Sequence, residues 1–229
     1  MKSEVVKGAS FEGLDVVAEL GERAHRFISC SFRGAVVDDA AWTGVSFEQC
    51  DLTNARFIDS DLCGSRWLRC TGDRPAFGNC DLTEALFEGC DLAGAGFASI
   101  SAADAAWRDC KLLNATFTDL QGFGWDFSSC VLMYADLRDL GFRKHVLDRL
   151  DLTESDLRGA DFREASFRDV KLVRADIRGA DFLGADLRGA DLGPLDDLER
   201  LSALKGAIIS PHQAIVVAGA LGINVLGDD

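Results

Sequence analysis

The sequence predicts an all-β solenoid whose coils have four faces, and three regularities in the sequence carry this prediction. From Phe27 to Leu192, every fifth residue is large and apolar at 31 of 34 positions. The three exceptions are Gly72, Ala102 and Gly122. An α-helix has a period of about 3.6 residues and a strand a period of 2, so neither element alone gives this spacing. A fixed internal repeat indicates stacked coils instead.

The second regularity is a period of twenty residues on top of the first. A cysteine column at this spacing is formed by Cys30, Cys50, Cys70, Cys90, Cys110 and Cys130. An alanine column holds Ala35, Ala55, Ala95, Ala115, Ala135 and Ala175, and a mostly aromatic column holds Phe27, Phe47, Trp67, Phe87, Trp107, Phe127 and Phe167. Twenty residues therefore make one coil of four pentapeptides, in which like side chains stack on like.

The third regularity is a compensation of volume between the two inward positions of a pentapeptide. Where the central residue shrinks to Ala102 or Gly122, the residue two positions earlier grows to Ile100 or Leu120. Close packing at constant interior volume requires exchanges of this kind. The two positions are therefore expected to share one core.

Composition excludes some classes of function. The chain has 229 residues and a net charge of −14, which argues against direct binding of nucleic acid because phosphate contacts need clustered Lys and Arg. The repeat itself places Asp just before the central residue, so part of the acidity comes with the fold. Residues 71–130 carry nine acidic and three basic groups and are the least compensated stretch. This surface permits a basic partner.

The eight cysteines are regularly spaced and mostly inward, which is not the pattern of a disulfide framework. The first residues lack the apolar run of a secretory signal, so a cytoplasmic location and reduced core thiols are expected. Cys63 falls outside the inward phases and is expected to be at least half-exposed. No CxxC pair occurs and no His shares the cysteine column, so no metal site or cofactor is predicted.

The ends of the chain break the repeat and divide it into three parts. Residues 1–25 are expected to form an irregular N-terminal cap, with a short helix or turn from Val16 to Ala24. Residues 26–193 form the coils, with the most regular repeats after Leu150. Residues 194–229 form a connector and a C-terminal helix capped by Ser210 and ending at Gly222.

Two interpretations of this C-terminal helix remain open. Its apolar run is too short to cross a membrane, so the helix either folds back on the last coil or joins two chains in a two-fold dimer. The candidate dimer residues are Ile208, Ile215, Val216, Val217, Ala220, Leu221 and Ile223.

Two irregular stretches interrupt the pattern of the coils. Residues 71–75 place Gly72 in a central position and Pro75 in an inward one, which predicts a bulge or kink. Residues 120–127 place Trp125 inward and Phe123 outward, which indicates either a packed local bulge or a small apolar surface site. His25 and His145 occupy inward phases and are interpreted as core or lining residues.

The repeats, as in RADIRGADFLGADLRGADL and CDLTEALFEGCDLAGAGF, resemble those of the pentapeptide-repeat proteins. That resemblance implies a right-handed quadrilateral β-helix. The tail ALKGAIISPHQAIVVAGALGINVLG and the segment LGERAHRFISCSFRGA are similar to those of the MfpA and Qnr types. This similarity implies a C-terminal homodimer whose acidic surface imitates DNA, binds DNA gyrase or topoisomerase IV and protects it from quinolones or related poisons.

Two departures from these types are visible in the sequence. The MfpA type is shorter than this chain, and the Qnr type has loops that interrupt its coils, whereas the register here runs without interruption from Phe27 to Leu192. A role that depends on such loops is therefore not expected for this chain.

Candidate contact residues are acidic side chains in outward positions of the coils. The preferred set, from the middle coils, is Asp81, Glu84, Glu88, Asp91, Asp104, Asp109 and Asp119. A secondary set is Asp51, Asp61, Asp136, Asp156, Asp161, Asp176 and Asp181. The alternative function is a non-enzymatic scaffold for another protein. An enzyme is not expected, because the sequence contains no phosphate loop, no spaced nucleophile and base, and no cofactor motif.

Overall fold

A computed structural model describes residues 4–21, 25–195 and 198–226. The chain divides into two compact units, Met1–Ala135 and Asp136–Asp229. The described parts of both units are built of short parallel strands that pair with the strand one coil away. This architecture is the β-solenoid that the twenty-residue period predicts.

The first unit contains one helix and twelve strands among its described residues. The helix α1 spans Val16–Leu20 and begins at Asp15, whose side chain accepts a hydrogen bond from the Ala18 N–H. The strands are β1 Glu4–Lys7, β2 His25–Ile28, β3 Val36–Asp38, β4 Ser46–Glu48, β5 Arg56–Ile58, β6 Arg66–Leu68, β7 Ala76–Gly78, β8 Leu86–Glu88, β9 Gly96–Ala98, β10 Ala106–Arg108, β11 Thr116–Thr118 and β12 Asp126–Ser128.

Four faces follow one another around each coil of the first unit. The first face is the parallel sheet β1-β2-β4-β6-β8-β10-β12, and the third face is the parallel sheet β3-β5-β7-β9-β11. The second and fourth faces are turns joined by isolated bridges, such as Asp51↔Thr71 on the second and Asp61↔Asp81 on the fourth. Within this unit, each bridge or strand pair from β2 onward joins residues twenty apart, as predicted.

The second unit contains three strands and two helices among its described residues. The strands β13 Val146–Asp148, β14 Ser166–Lys171 and β15 Asp186–Asp191 form a parallel sheet. The register of β14 against β15 shifts between Ser166 and Val170, although the sequence here is among the most regular in the chain. The helices α2 Leu198–Ala203 and α3 Pro211–Ala220 follow the last coil.

The core of the first unit is formed by the two predicted inward positions of the pentapeptides, except that Gly72 and Leu120 are half-buried and Gly122 is exposed. Phe47 and Trp67 are fully buried and stack with ring centroids 4.1 Å apart and planes 7° apart. Phe57 meets Trp67 edge-on from the neighbouring aromatic column at 5.0 Å. Stacking within a column and edge-to-face contact between columns are both favourable aromatic geometries.

The cysteine column is also part of this core. All eight cysteines are free, and all except the half-buried Cys63 are buried. The Cys90 thiol donates to the Trp67 carbonyl of the preceding coil at 3.1 Å. Burial raises the pKa of Cys80 to about 11, so that this thiol stays protonated at neutral pH.

Aspartates just before the central residue have a structural role. The Oδ1 atom of Asp81 accepts a hydrogen bond from the Thr83 N–H at 2.9 Å, and Asp51 does the same with Thr53 at 3.0 Å. In each case the short aspartate side chain closes a turn by accepting a hydrogen bond from the backbone N–H two residues later. The next residue adopts a positive φ, as Asn54 does at 54°. Some of the negative charge therefore belongs to the fold itself.

The two irregular stretches keep the register of the coils. Thr71 still bridges Asp51 and Asp91, so no residue is inserted and the predicted bulge at Gly72 is absent from the pairing. A Cβ on Gly72 would lie 2.8 Å from the Leu52 carbonyl carbon, which explains the glycine. Pro75 and Trp125 are buried, and Phe123 is exposed, as predicted.

The N-terminal stretch contains more regular structure than a cap of residues 1–25 implies. Strand β1 pairs in parallel with β2, joining residues 21 apart, and Phe11 is buried. Helix α1 occupies the described part of the expected helix or turn, and residues 22–24 lie outside the described residues. The side chain of His25 is also outside the described set, and His145 is half-buried.

Candidate partner-binding surface

The acidic side chains of the first unit are distributed unevenly among its four faces. Every ion pair identified among the described residues of this unit lies on the first or second face. On the first face Glu48 pairs with Arg26 at 2.9 Å and with Arg69 at 3.4 Å. On the second face Asp51 pairs with Arg33 at 2.9 Å and Asp91 pairs with Lys111 at 3.2 Å, and Arg74 pairs with its neighbour Asp73.

The third and fourth faces are adjacent, and their acidic side chains have no such partners. Within the described residues 36–124 these two faces carry eight carboxylates and a single basic side chain, Arg56. None of the eight carboxylates lies in an ion pair with a described residue. We call this set the acidic surface: Asp38, Asp39, Asp59, Asp61, Asp81, Glu84, Asp104 and Asp119.

The backbone holds several of these carboxylates in neighbouring coils. Asp61 and Asp81 are partners in a parallel bridge, where adjacent coils are about 4.8 Å apart. Glu84 and Asp104 also lie twenty residues apart on the fourth face. Because these side chains stand on a hydrogen-bonded solenoid, their negative charges are fixed in place before a partner arrives.

Neutral side chains orient two of these carboxylates without removing their charge. The Thr43 hydroxyl donates to Asp61 at 2.7 Å, and the Asn79 amide donates to Asp59 at 3.0 Å. A hydroxyl or an amide leaves the carboxylate ionised, whereas a guanidinium compensates it. The acidic surface therefore keeps its negative potential.

The preferred candidates are divided between the faces by the structure. Asp81, Glu84, Asp104 and Asp119 lie on the acidic surface, whereas Glu88, Asp91 and Asp109 lie on the first or second face. Glu88 and Asp109 line a shallow depression of about 410 Å³ together with Arg69. Of the secondary candidates in this unit, Asp61 lies on the acidic surface and Asp51 lies on the second face.

The remaining candidates lie in the second unit and are compensated. Asp136, Asp156, Asp161, Asp176 and Asp181 each lie within 3.7 Å of an arginine nitrogen. Most of these pairs are formed within an Asp-x-Arg sequence, as between Asp156 and Arg158. Hydrogen bonds from Arg158 lower the pKa of Asp156. These side chains form ladders of alternating charge that offer a basic partner little net attraction.

Sequence reasoning missed three members of the acidic surface, namely Asp38, Asp39 and Asp59. The signal that finds them is the twenty-residue period applied to the outward positions, which assigns each charge to a face. The same rule places Asp91 and Lys111, twenty residues apart, on one face as an ion pair.

The C-terminal segment contacts the last coil through polar atoms and leaves apolar side chains exposed. Gln213 is buried, and its amide donates to the carbonyls of Leu187 and Ala190 at 2.7 Å each. Ser210 and Gln213 form a reciprocal capping box, and Gly222 follows the helix with a φ of 74°. Ile208, Ile215, Val216, Ala220, Leu221 and Ile223 of the predicted dimer set are exposed, and Val217 is half-buried.

Two features are absent from the described residues. No group of three or more His, Cys, Asp or Glu side chains there is arranged to hold a metal ion. No helix in that part of the chain combines the length and apolar character needed to cross a membrane.

Comparison with solved structures identifies the same fold elsewhere. A trypsin-treated form of QnrB1, a plasmid-mediated fluoroquinolone resistance protein, is 24% identical over 98% of both chains, with a TM-score of 0.51. HetL, a pentapeptide-repeat protein involved in heterocyst differentiation regulation in the cyanobacterium Nostoc sp. strain PCC 7120, is 19% identical over 81% of this chain and 86% of its own, with a TM-score of 0.34. At this identity and TM-score the likeness to QnrB1 concerns the fold alone. A search of curated proteins gave no match.

Family profiles match the repeats directly. The profile "Pentapeptide repeats" matches residues 146–182 and 155–193, with eight copies, and the profile "Pentapeptide repeat region" matches residues 23–97. Both matched regions fall on coils whose inward positions the structure buries. The chain belongs to the pentapeptide-repeat proteins.

Proposed function

We propose that this protein binds a type II topoisomerase, DNA gyrase or topoisomerase IV, by presenting its acidic surface to the site that otherwise holds DNA. One observation carries the proposal: the acidic surface has eight carboxylates, and none of them is paired with a described cation. A DNA-binding saddle is lined by Lys and Arg that neutralise phosphates. Ordered carboxylates can take the places of those phosphates, and their attraction to the basic site weakens as salt rises.

The fold's own need for aspartate does not account for this surface. A turn-closing aspartate serves equally well when an arginine compensates it, as Asp156 shows in the second unit. In the first unit Asp51 and Asp91 of the second face have a cationic partner, whereas Asp61 and Asp81 of the fourth face are in no ion pair with a described residue. Glu84 and Asp104 occupy positions that precede no central residue, so the turn requirement does not explain their charge.

Binding at this site is proposed to protect the topoisomerase from quinolone-like poisons. Such poisons act on the enzyme's complex with DNA, so a competitor for the DNA site lowers the amount of that complex. The fold likeness to QnrB1, described as a fluoroquinolone resistance protein, supports this direction. The similar tail and N-terminal segment noted in the sequence point to the same group of proteins.

A homodimer joined through the C-terminal helix belongs to the same proposal. Ile215 is 51% exposed, Leu221 52% and Ile223 56%, although α3 is anchored on the last coil by Gln213. Exposed apolar residues on an anchored helix are suited to a two-fold interface. Light scattering is expected to give twice the 24.7 kDa chain mass. Ile215→Glu is expected to reduce it to the monomer, whereas Leu183→Glu, at an exposed apolar residue outside the helix, leaves the dimer intact.

The test of function is a supercoiling assay with purified gyrase, with and without a fluoroquinolone, at two salt concentrations. The expected result is inhibition, or protection from the drug, that weakens as salt rises. A lack of effect on both gyrase and topoisomerase IV would contradict the proposal and favour the alternative, a scaffold for another protein.

A further inference from the structure

Phe123 is an aromatic side chain that the fold exposes to solvent on the acidic surface. It is 91% exposed, whereas Phe117 and Phe127 on either side in the sequence are buried to about 1% exposure. It lies on the fourth face of the first unit, in the same outward column as Cys63, Thr83 and Ala103. Because the ring buries almost no apolar surface in this position, it contributes almost nothing to the stability of the fold.

The backbone under Phe123 is fixed by hydrogen bonds to the preceding coil. The Gln121 N–H donates to the Ile100 carbonyl at 2.9 Å, and the Ala102 N–H donates to the Gln121 carbonyl at 2.8 Å. The Asp104 N–H donates to the carbonyl of Phe123 itself at 2.9 Å. The ring is therefore carried by an ordered turn.

The glycines on both sides of Phe123 bring this turn close to the coil below. Gly122 has a φ of 102°, and a Cβ on it would lie 2.7 Å from the Ala103 nitrogen. Gly124 has a φ of 79°, and a Cβ there would collide with the Asp104 carboxylate. Because both neighbours are glycines and have no side chain, Phe123 carries the bulky side chain of this turn, and the ring projects from it.

Local packing does not explain the residue. Trp125 occupies an inward position of the next pentapeptide, is only 4% exposed and meets Phe127 edge-on at 5.7 Å between centroids. At 91% exposure, Phe123 takes no part in this packing. The side chains beside it in the outward column are small and leave the ring uncovered.

The charge around Phe123 indicates what kind of partner it meets. The neighbouring coil places Asp104 beside the turn, and Asp119 lies on the adjacent third face. A partner that approaches this corner must carry positive charge to match these carboxylates. DNA presents no exposed aromatic side chain of this kind. A partner that contacts the ring therefore distinguishes this protein from the nucleic acid whose place it takes.

We propose that Phe123 is the specificity-determining contact of the acidic surface and inserts into an apolar pocket bordered by Lys and Arg on the partner protein. The inference rests on the proposed function and adds a contact that charge alone does not supply. Pre-ordered aromatic anchors surrounded by polar groups dominate many interfaces. Loss of such an anchor is expected to weaken binding by about thirtyfold or more.

The test compares the binding of four forms of the full chain to purified gyrase and topoisomerase IV over a range of salt. The forms are the unchanged protein, Phe123→Ala, Phe123→Leu and the control Tyr134→Asn. Tyr134 is an aromatic residue on the second face, 48% exposed, with a φ of 59° that asparagine tolerates. Melting temperatures are measured alongside.

The expected result is a loss of about thirtyfold for Phe123→Ala at every salt concentration, with an unchanged salt slope and melting temperature. Phe123→Leu is expected to lose less, and Tyr134→Asn to bind like the unchanged protein. Equal binding of Phe123→Ala would overturn the inference while the proposed function stands, and a lowered melting temperature would assign the ring a structural role instead. Absence of binding by the unchanged protein would overturn the proposed function and this inference together.

Discussion

Asp61 and Asp81 are partners in a parallel bridge on the fourth face, and neither carboxylate is in an ion pair with a described residue. Asp51, on the second face, differs because its carboxylate pairs with Arg33 at 2.9 Å. The same pentapeptide position is therefore compensated on one face and left charged on another. Like charges directly opposite one another in neighbouring strands reduce stability.

Removing this repulsion is expected to stabilise the fold. Asp61→Asn keeps Oδ1 as an acceptor for the Cys63 N–H, and its Nδ2 can donate to the Thr43 hydroxyl oxygen, which now donates to Oδ2 of Asp61. We expect this variant to raise the melting temperature by about one to three degrees at low salt. The gain is expected to shrink at high salt because the repulsion is screened. Asp51→Asn, which loses the Arg33 pair, is the control and is expected to give no gain. A decrease for Asp61→Asn at low salt would contradict the repulsion.

Cys63 reports the potential of the acidic surface through its reactivity. Partial burial and the charges of Asp81, Asp61 and Glu84 raise the pKa of its thiol. We expect a neutral thiol reagent to modify this one cysteine in the native protein, more slowly than it modifies free cysteine. Adding salt is expected to speed the reaction, since screening lowers the pKa again.

The seven buried cysteines are the internal control for this labelling experiment. They are expected to react only after unfolding, because the core excludes the reagent. Rapid native reaction of several thiols would contradict the packed cysteine column. A rate at Cys63 that does not change with salt would contradict the potential inferred for the surface.

Gly72 is expected to be required by packing. A Cβ at this position would press on the Leu52 backbone at 2.8 Å, so Gly72→Ala is expected to reduce the free energy of unfolding by about 1 kcal/mol or more. Gly78→Ala is the matched control, because a Cβ there meets nothing within 4 Å. We expect that variant to be neutral or slightly stabilising. Equal effects of the two substitutions in chemical denaturation would contradict this assignment.

The acid stability of the second unit is expected to depend on its Asp-x-Arg pairs. A hydrogen bond from Arg188 lowers the pKa of Asp186 to about 2, against about 3.9 in an unfolded chain. A lowered folded-state pKa contributes stability above about pH 4, and this contribution is lost as the pH falls to about 2. Arg188→Gln is expected to melt about two degrees lower or less at pH 6, with the difference vanishing near pH 2. A difference that persists at pH 2 would contradict a role for the pair.

Much of the fold could be predicted from the sequence because the inward positions repeat without interruption. The burial of Trp67, the burial of the cysteine column and the exposure of Phe123 all follow from the five-residue phase. The start of regular structure at β1 could not be predicted, because residues 4–7 do not carry the repeat. The buried contact of Gln213 with the last coil depends on tertiary packing that no periodicity records.

The acidic surface could be predicted only in part. Net charge along the chain singled out residues 71–130, and Asp81, Glu84, Asp104 and Asp119 from that stretch lie on the surface. The distribution of charge along the sequence does not show on which face of a coil each residue lies. The preferred candidates therefore include Asp91, although the structure shows that it pairs with Lys111. Ion pairs between neighbouring coils, such as Arg33 with Asp51 and Lys111 with Asp91, determine which carboxylates are compensated, and these pairs depend on the coil geometry.

The most direct measurement is the salt dependence of gyrase binding by two charge-neutralised variants. Asp81→Asn, Glu84→Gln and Asp104→Asn together remove three charges from the acidic surface. Glu88→Gln, Asp91→Asn and Asp109→Asn together remove three from the other two faces. The first variant is predicted to bind more weakly with a shallower salt slope, and the second to bind like the unchanged protein. Equal losses in both variants, or an unchanged slope in the first, would contradict the assignment of binding to the acidic surface.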